Sequence, residues 1–394
     1  MSEALRKFLQ IETKHLDQAG LLRTEVMLHA PPGPTVTIGD KELINLCSSD
    51  YLGLSNHPQV KQAARAALDS FGVALASPRI VTGTVALHAE LERAITQWLG
   101  SEDTVVFASG YHAATGLFES LVSERDYLFC DAQVQPSVAD GIRLCRAKVF
   151  PYRSRDLNDL EDRLRRSRSA RFRLIVTDGV FPLEGSTAPL EEICALAEKY
   201  EAMLVVEDGQ ALGVLGPSGK GTPALLGVAS RVDLVSGSFG HALGGTGGFA
   251  SGRKEVITWL RQKSRPYLSS SALAPAAAAA ALKALELAGG QSRLRTRLRG
   301  KLELFKSALQ EEKLPLVGGD HPTVSVMLRD AVTTQKMADL LYRKGVFAMG
   351  FCHPVVPEGS ARIRAQVTAS HSDEALQKAA AIFGECARQL RRRA

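Results

Sequence analysis

The chain has 394 residues, 45% hydrophobic and 23% charged, with a formal net charge of +6. That length supports two domains with sizeable cores, and no apolar run reaches the roughly eighteen residues a membrane-crossing helix needs. The six cysteines (Cys47, Cys130, Cys145, Cys194, Cys352, Cys386) form no CxxC pair, which excludes a zinc ribbon or dithiol redox motif and leaves buried, reduced thiols as the expectation.

In chain order, the opening MSEALRKFLQIETKHLDQ mixes both charge signs on an amphipathic pattern. It lacks the apolar centre of a secretory signal, and the protein is expected in the cytoplasm. Residues 2–18 read as a helix. An extended arm follows, because PPGP cannot continue a helix. From about residue 43 the pattern becomes short apolar strands alternating with amphipathic helices. TVVFAS (104–109), YLFC (127–130), FRLIVTD (172–178), MLVVED (203–208) and VDLVSGS (232–238) read as buried strands. The helices between them include 57–71, 87–100, 114–122, 190–201 and 255–263. Continuous apolar strands separated by helices are the pattern of a parallel α/β sheet.

SSALAPAAAAAALKALELAGG (270–290) collects strong helix formers and stops at a glycine pair. A long helix is predicted over 291–311. Strands VSVML (324–328), GVFAMG (345–350) and ARIRAQV (361–367) and helices 333–345 and 372–390 then form a smaller unit. The predicted fold is α/β: an N-terminal helix and arm (1–44), a large domain with a mainly parallel sheet (45–288) and a small C-terminal α+β domain (289–394).

Basic residues gather at 161–173, at RLRTRLRGK (293–301) and in the tail RQLRRRA (388–394). Aromatics are only 6% and are not interleaved with them. The charge therefore reads as solvated helix faces, or attraction for a phosphorylated small molecule, ahead of nucleic acid. No histidine pair has metal-ligand spacing with a third ligand nearby.

Six motifs then stand out: NLCSSDYLGLSNHP (45–58), ASPRIVTGTVALHAELE (76–92), DGVFPLEG (178–185), GSFGHALGGTGGF (237–249), SRPYLSSSALAP (264–275) and FCHPVVPEGSARIRAQVTASH (351–371). Together they resemble the α-oxoamine synthases of the fold-type I pyridoxal phosphate (PLP) enzymes, with the 2-amino-3-oxobutyrate CoA ligases as the nearest branch. The resemblance runs from about residue 20 to the end. It implies an aspartate aminotransferase-like large domain, a homodimer with interface active sites, and acyl-CoA and an amino acid joined with loss of carbon dioxide.

The resemblance also implies a PLP site, and each of its elements can be placed in this sequence. Where the family has the lysine that forms the cofactor imine, this chain has His241, and imidazole is not a primary amine. The family aspartate that keeps the pyridine nitrogen protonated matches Glu207. The histidine that bonds the ring hydroxyl matches Gln210, and the histidine that stacks on the ring matches Gln135. The phosphate cradle matches Gly110, Tyr111 and Ser238, with Ser271 from the other subunit. Four of five elements differ, so PLP is expected to be unlikely or weak and non-covalent.

At the substrate end Arg364 matches the family arginine that clamps a carboxylate. Asp50 stands at a family asparagine and Pro182 at a family serine. Ser77 and Arg79 either line the acyl-CoA entry or brace their loop. His112 either points into the cofactor space or faces solvent at a helix start. The expected function is PLP-independent acyl transfer from a thioester, on CoA or a carrier protein, to an amine or amino-acid-like acceptor. In that reading His241 is the general base, with Asp50 and Glu207 holding a cationic amine. The alternatives are a non-catalytic partner of a lysine-bearing paralogue, and a PLP enzyme that binds its cofactor without a covalent lysine link.

Overall fold

A computed structural model of the chain describes residues 1–18, 22, 25–290 and 292–392. The helix Glu3–Gln18 forms as predicted, with no buried residue. A hairpin of β1 (Thr35–Ile38) and β2 (Lys41–Asn45) follows. Seven strands then build the large sheet: β3 (Asp103–Phe107), β4 (Tyr127–Asp131), β5 (Lys148–Tyr152), β6 (Arg173–Asp178), β7 (Ala202–Glu207), β8 (Leu234–Ser238) and β9 (Gly248–Gly252). Their order is β3-β9-β8-β7-β6-β4-β5. The ladders from β5 to β8 are parallel, and β9 runs antiparallel to both β8 and β3.

The predicted parallel strands form because Leu128, Ile175, Val176, Leu204, Val206 and Leu234 are sealed beneath helices. Two strands of the large sheet are additions to the sequence reading. β5 (KVFPY) is a half-exposed edge strand interrupted by Pro151, which only an edge tolerates. β9 (GFASG) is buried along its whole length, and its small residues carry little strand propensity.

The C-terminal unit is a four-stranded antiparallel sheet in the order β10-β11-β14-β13, from β10 (Leu316–Val317), β11 (Thr323–Arg329), β13 (Met349–Phe351) and β14 (Ala361–Gln366). The helices Ser292–Glu311, Ala331–Arg343 and Asp373–Arg391 pack on it through Phe305, Leu309, Leu341 and Phe383. Asp330 and Ser372 cap the last two, each accepting a backbone N–H. Gln291, and residues 393–394 of the basic tail, lie outside the described residues. One short strand, β12 (Val346–Phe347), leaves this sheet and pairs in parallel with β2. The N-terminal hairpin is thereby tied to the C-terminal unit, and Ile44 and Leu46 join its core.

Asp131, Asp178, Glu207 and Ser238 are the last residues of β4, β6, β7 and β8. Their side chains therefore gather at the carboxyl edge of the sheet, where open α/β sheets bind ligands. Among the described residues no helix is long and apolar enough to cross a membrane, and no group of three His, Cys, Asp or Glu could hold a metal. All six cysteines are free thiols; Cys47 and Cys145 are only half-buried.

Candidate functional site

The glycine-rich loop after β8 folds back on itself. Phe239 N–H donates to Gly247 O (3.0 Å), Gly245 N–H to Phe239 O (2.8 Å) and Gly244 N–H to His241 O (2.8 Å). Gly247 sits at φ +107°, where a side chain would be strained and would press on Phe239 and Leu273. Ala242 and Leu243 are buried in the core below, so the loop holds His241 on a fixed base. Among the described residues the buried His241 Nδ1 atom has no partner, and Nε2 lies 3.4 Å from Gln210 Nε2. Burial, and then the nearby Arg364 charge, push its pKa from 6.5 down to about 4, so the ring is neutral at physiological pH and a weak base.

Beside it lies a set of buried acids. Glu207 accepts hydrogen bonds from the Ser236 hydroxyl and from Gly209 N–H (3.0 Å), and the Gln135 side chain also faces its carboxylate. Burial raises Glu207 from 4.5 to about 7 despite these donors. Asp208 turns away and binds Thr222 through its hydroxyl (2.6 Å) and backbone N–H (2.8 Å). It is structural, although burial raises it to about 8. Asp178 accepts Gln135 N–H at 2.9 Å through one oxygen, while the other is buried with no partner among the described residues. Burial and the Glu207 charge push it well above the usual carboxylate range.

The C-terminal unit covers this pocket with β14. Residues two apart on a strand share a face, so Arg364 and Gln366 both look toward the large sheet. Arg364 is largely buried, stacks on the Phe351 ring (4.5 Å to its centroid) and lies 3.5 Å from Pro182 O. Among the described residues it has no carboxylate partner, and desolvation lowers its pKa. Gln366 Nε2 donates to Tyr51 Oη (3.0 Å), and Tyr51 Oη donates to Gln210 Oε1 (2.8 Å). Thr323 Oγ1 lies 3.3 Å from the same phenol.

The anion cradle is present. Ser109 caps the helix Gly110–Leu121, accepting His112 N–H through Oγ at 3.0 Å, and the Gly110 and Tyr111 amides open that helix. A side chain at Gly110 would meet Ser238 Cβ at 2.7 Å, so glycine is required for this approach. Ser238 Oγ accepts Gly240 N–H at 3.0 Å and stays at the mouth of the cradle. Free amides at a helix N-terminus beside a hydroxyl suit a phosphate. A buried carboxylate at the end of β7 suits a protonated ring nitrogen. These parts of the site fit PLP.

Other predicted residues do something else. Asp50 accepts Leu54 N–H (2.8 Å), Ser55 N–H (3.2 Å) and Ser55 Oγ–H (2.6 Å). Its carboxylate organises the next turn, which takes up the charge expected to hold an amine. Arg79 pairs with Glu92 at 3.0 Å, both nearly buried, and lies over Tyr267. Ser77 Oγ accepts Thr82 N–H at 3.1 Å. Both residues brace their loop. The Tyr111 hydroxyl donates outward to Asp140 (3.0 Å), leaving the backbone amide for the cradle. His112 is half-buried at the helix start, and its Nδ1 has no partner among the described residues. Ser271 is exposed. Tyr51, Thr323 and Gln366 were not singled out in the sequence; the only signal was that Tyr51 adjoins Asp50 in SDYLGL.

Comparison with known proteins gives a consistent result. The family described as aminotransferase class I and II matches residues 41–383. The chain is 42% identical to the 2-amino-3-ketobutyrate coenzyme A ligase of Escherichia coli (strain K12) over 391 residues, 98% of each chain. It is 36% identical to the 8-amino-7-oxononanoate synthase of Thermoanaerobacter pseudethanolicus, over 97% of each. Its fold matches a lysine-to-alanine serine palmitoyltransferase from S. paucimobilis with bound PLP–myriocin aldimine, at a TM-score of 0.93, 28% identity and 99% coverage of both chains. The expectation that PLP is unlikely or weak is therefore corrected. The relatives belong to PLP-dependent enzymes over the full length of the chain, and the solved neighbour carries PLP. The error came from weighing the altered side chains above the cradle and fold, which are intact. The chain belongs to the aminotransferase class I and II family and, within its fold-type I PLP enzymes, is an α-oxoamine synthase-type enzyme.

Proposed function

We propose that this enzyme transfers an acyl group from a thioester, on CoA or a carrier protein, to an amino-acid-type acceptor, with PLP as its cofactor. The observation that carries the reading is Arg364, a largely buried guanidinium with no carboxylate partner among the described residues. A desolvated cation without a counter-charge is costly, and an arriving anion offsets that cost; its planar donors match a carboxylate. Arg364 thus binds the acceptor's carboxylate and turns the amine toward the loop of His241. Ser238 and the Gly110 and Tyr111 amides hold the cofactor phosphate, and Glu207 holds the proton of the ring nitrogen. PLP supplies the electron sink for a carbanion beside the amine. The overlying β14, with Tyr51 and Thr323, excludes water from that carbon. The reading includes a cytoplasmic homodimer in which the exposed Ser271 reaches the cradle of the second copy.

The test is direct. The chain is incubated with PLP, desalted and scanned for visible absorbance, then given glycine and acetyl-CoA while free thiol is measured. Retained absorbance and amino-acid-dependent thiol release are expected, with Arg364→Ala losing only the release. A blank spectrum, or thiol release that ignores the amino acid, overturns the reading.

A further inference from the structure

Three parts of the molecule contribute to one chain of hydrogen bonds that ends on His241. Gln366 comes from β14, Tyr51 from the segment after the N-terminal hairpin, and Gln210 from the loop after β7. The Tyr51 phenol has one proton. It accepts from Gln366 Nε2 at 3.0 Å, so its own proton goes to Gln210 Oε1 at 2.8 Å, the shorter of its two remaining contacts. The Thr323 hydroxyl can donate its own. With Oε1 used as an acceptor, the Gln210 amide presents N–H to His241 Nε2 at 3.4 Å, a long hydrogen bond. The Gln210 backbone is held as well. His321 Nδ1 accepts Thr323 N–H (3.1 Å), which leaves His321 Nε2–H to donate to Gln210 O (3.0 Å).

A ring nitrogen that receives an N–H carries no proton, and a neutral imidazole keeps its one proton on the other nitrogen. For His241 that nitrogen is Nδ1, which is buried and has no acceptor among the described residues. An unmet buried donor is costly, and the cost disappears when a ligand oxygen arrives.

We propose that Tyr51 and Gln210 are positioning residues that fix His241 as its Nδ1–H tautomer, so that it meets a carboxylate, carbonyl or phenolate oxygen as a hydrogen-bond donor and not as a base. The inference deepens the reading above and rests on it only for the identity of the ligand.

The experiment is long-range ¹H–¹⁵N spectroscopy of the ligand-free full chain labelled at histidine ring nitrogens, with the His241 signals assigned by their loss in His241→Ala. A pyrrole-type Nδ1 and a pyridine-type Nε2 are expected. Gln210→Glu places an acceptor against Nε2 and is expected to reverse the pattern. Tyr51→Phe releases the amide and is expected to give a mixture of the two. A proton on Nε2 in the parent chain, or a folded Gln210→Glu variant with an unchanged pattern, overturns the proposal. PLP, glycine and acetyl-CoA are then added separately. The Nδ1 proton resonance should move with whichever supplies the oxygen, and no movement with any of them overturns the donor role. Failure of PLP to give a chromophore strikes the functional reading instead, and leaves the tautomer result standing.

Discussion

Replacing Glu207 with glutamine should make the protein more stable above neutral pH and less active at the same time. Burial raises this carboxyl from 4.5 to about 7 in the folded chain. A carboxyl raised on folding favours the folded state while it is protonated. That contribution is complete below about pH 4.5 and is lost as pH climbs through about 7. At about 1.4 kcal/mol per pH unit, the ionised side chain costs the fold about 3 kcal/mol at about pH 8, and less than about 1 kcal/mol at about pH 5. Glutamine keeps the shape: its oxygen can accept Gly209 N–H, and its amide can donate to the Ser236 hydroxyl. Urea unfolding of the PLP-free Glu207→Gln and parent chains at the two pH values reads the difference. A gain near pH 8 that shrinks near pH 5 is expected, together with loss of thiol release. A variant equally destabilised at both pH values would refute the reasoning, because Glu207 would then be an ordinary hydrogen-bonded side chain.

His241→Lys should create an amine on the loop and give PLP attachment that borohydride makes permanent, read as the cofactor's mass added to the chain; no added mass would show that the loop does not aim at the aldehyde. Arg364→Lys should keep the charge but lose the paired donors, raising the KM for the amino acid roughly tenfold or more, equivalent to about 1.4 kcal/mol, with little change in the KM for the thioester. Arg79→Met should cost about 2–3 kcal/mol of stability in urea, below the full cost of breaking a buried pair. The reason is that Glu92 keeps Arg261 at 3.2 Å and Val106 N–H at 3.1 Å; a larger loss of activity than of stability would restore a substrate role. Asp50→Ala should cost about 1–2 kcal/mol by leaving the Leu54 and Ser55 amides without their acceptor, while Asp50→Asn recovers most of it.

The large sheet was legible because its central parallel strands are buried on both faces and read as unbroken apolar runs. β5 and β9 were not, since an edge strand with a proline and a strand of glycine, alanine and serine lack that signal. In the site, His241, Glu207, Gln210 and Arg364 could be named from their motifs, and the fold brings them together. Asp50 reads as a charge for an amine, and Arg79 as either lining the entry or bracing its loop, yet their partners are four and five residues away for one and on the next helix for the other. Local turn chemistry and a buried ion pair use the same residue types as a substrate clamp, and only coordinates separate them. Tyr51, Thr323 and Gln366 were missed for the opposite reason. Each is unremarkable in its own segment, and their meeting joins positions 315 residues apart.

The parallel pairing of β2 with β12 has a consequence for synthesis. The N-terminal hairpin leaves the ribosome early, but its partner strand follows some three hundred residues later, as the Cys47 contact with Phe347 O also shows. Until then Ile44 and Leu46 have no core to enter, and closing so long a loop is slow. The large sheet, with Glu207 and the glycine loop, can be complete while Arg364 and Gln366 are still being translated. A chain at that stage already has Gly110, Tyr111 and Ser238 of the cradle, but not Arg364 or the Gln366 contact with Tyr51. The amides and hydroxyl of the cradle can therefore take their places before Arg364 is added to the pocket.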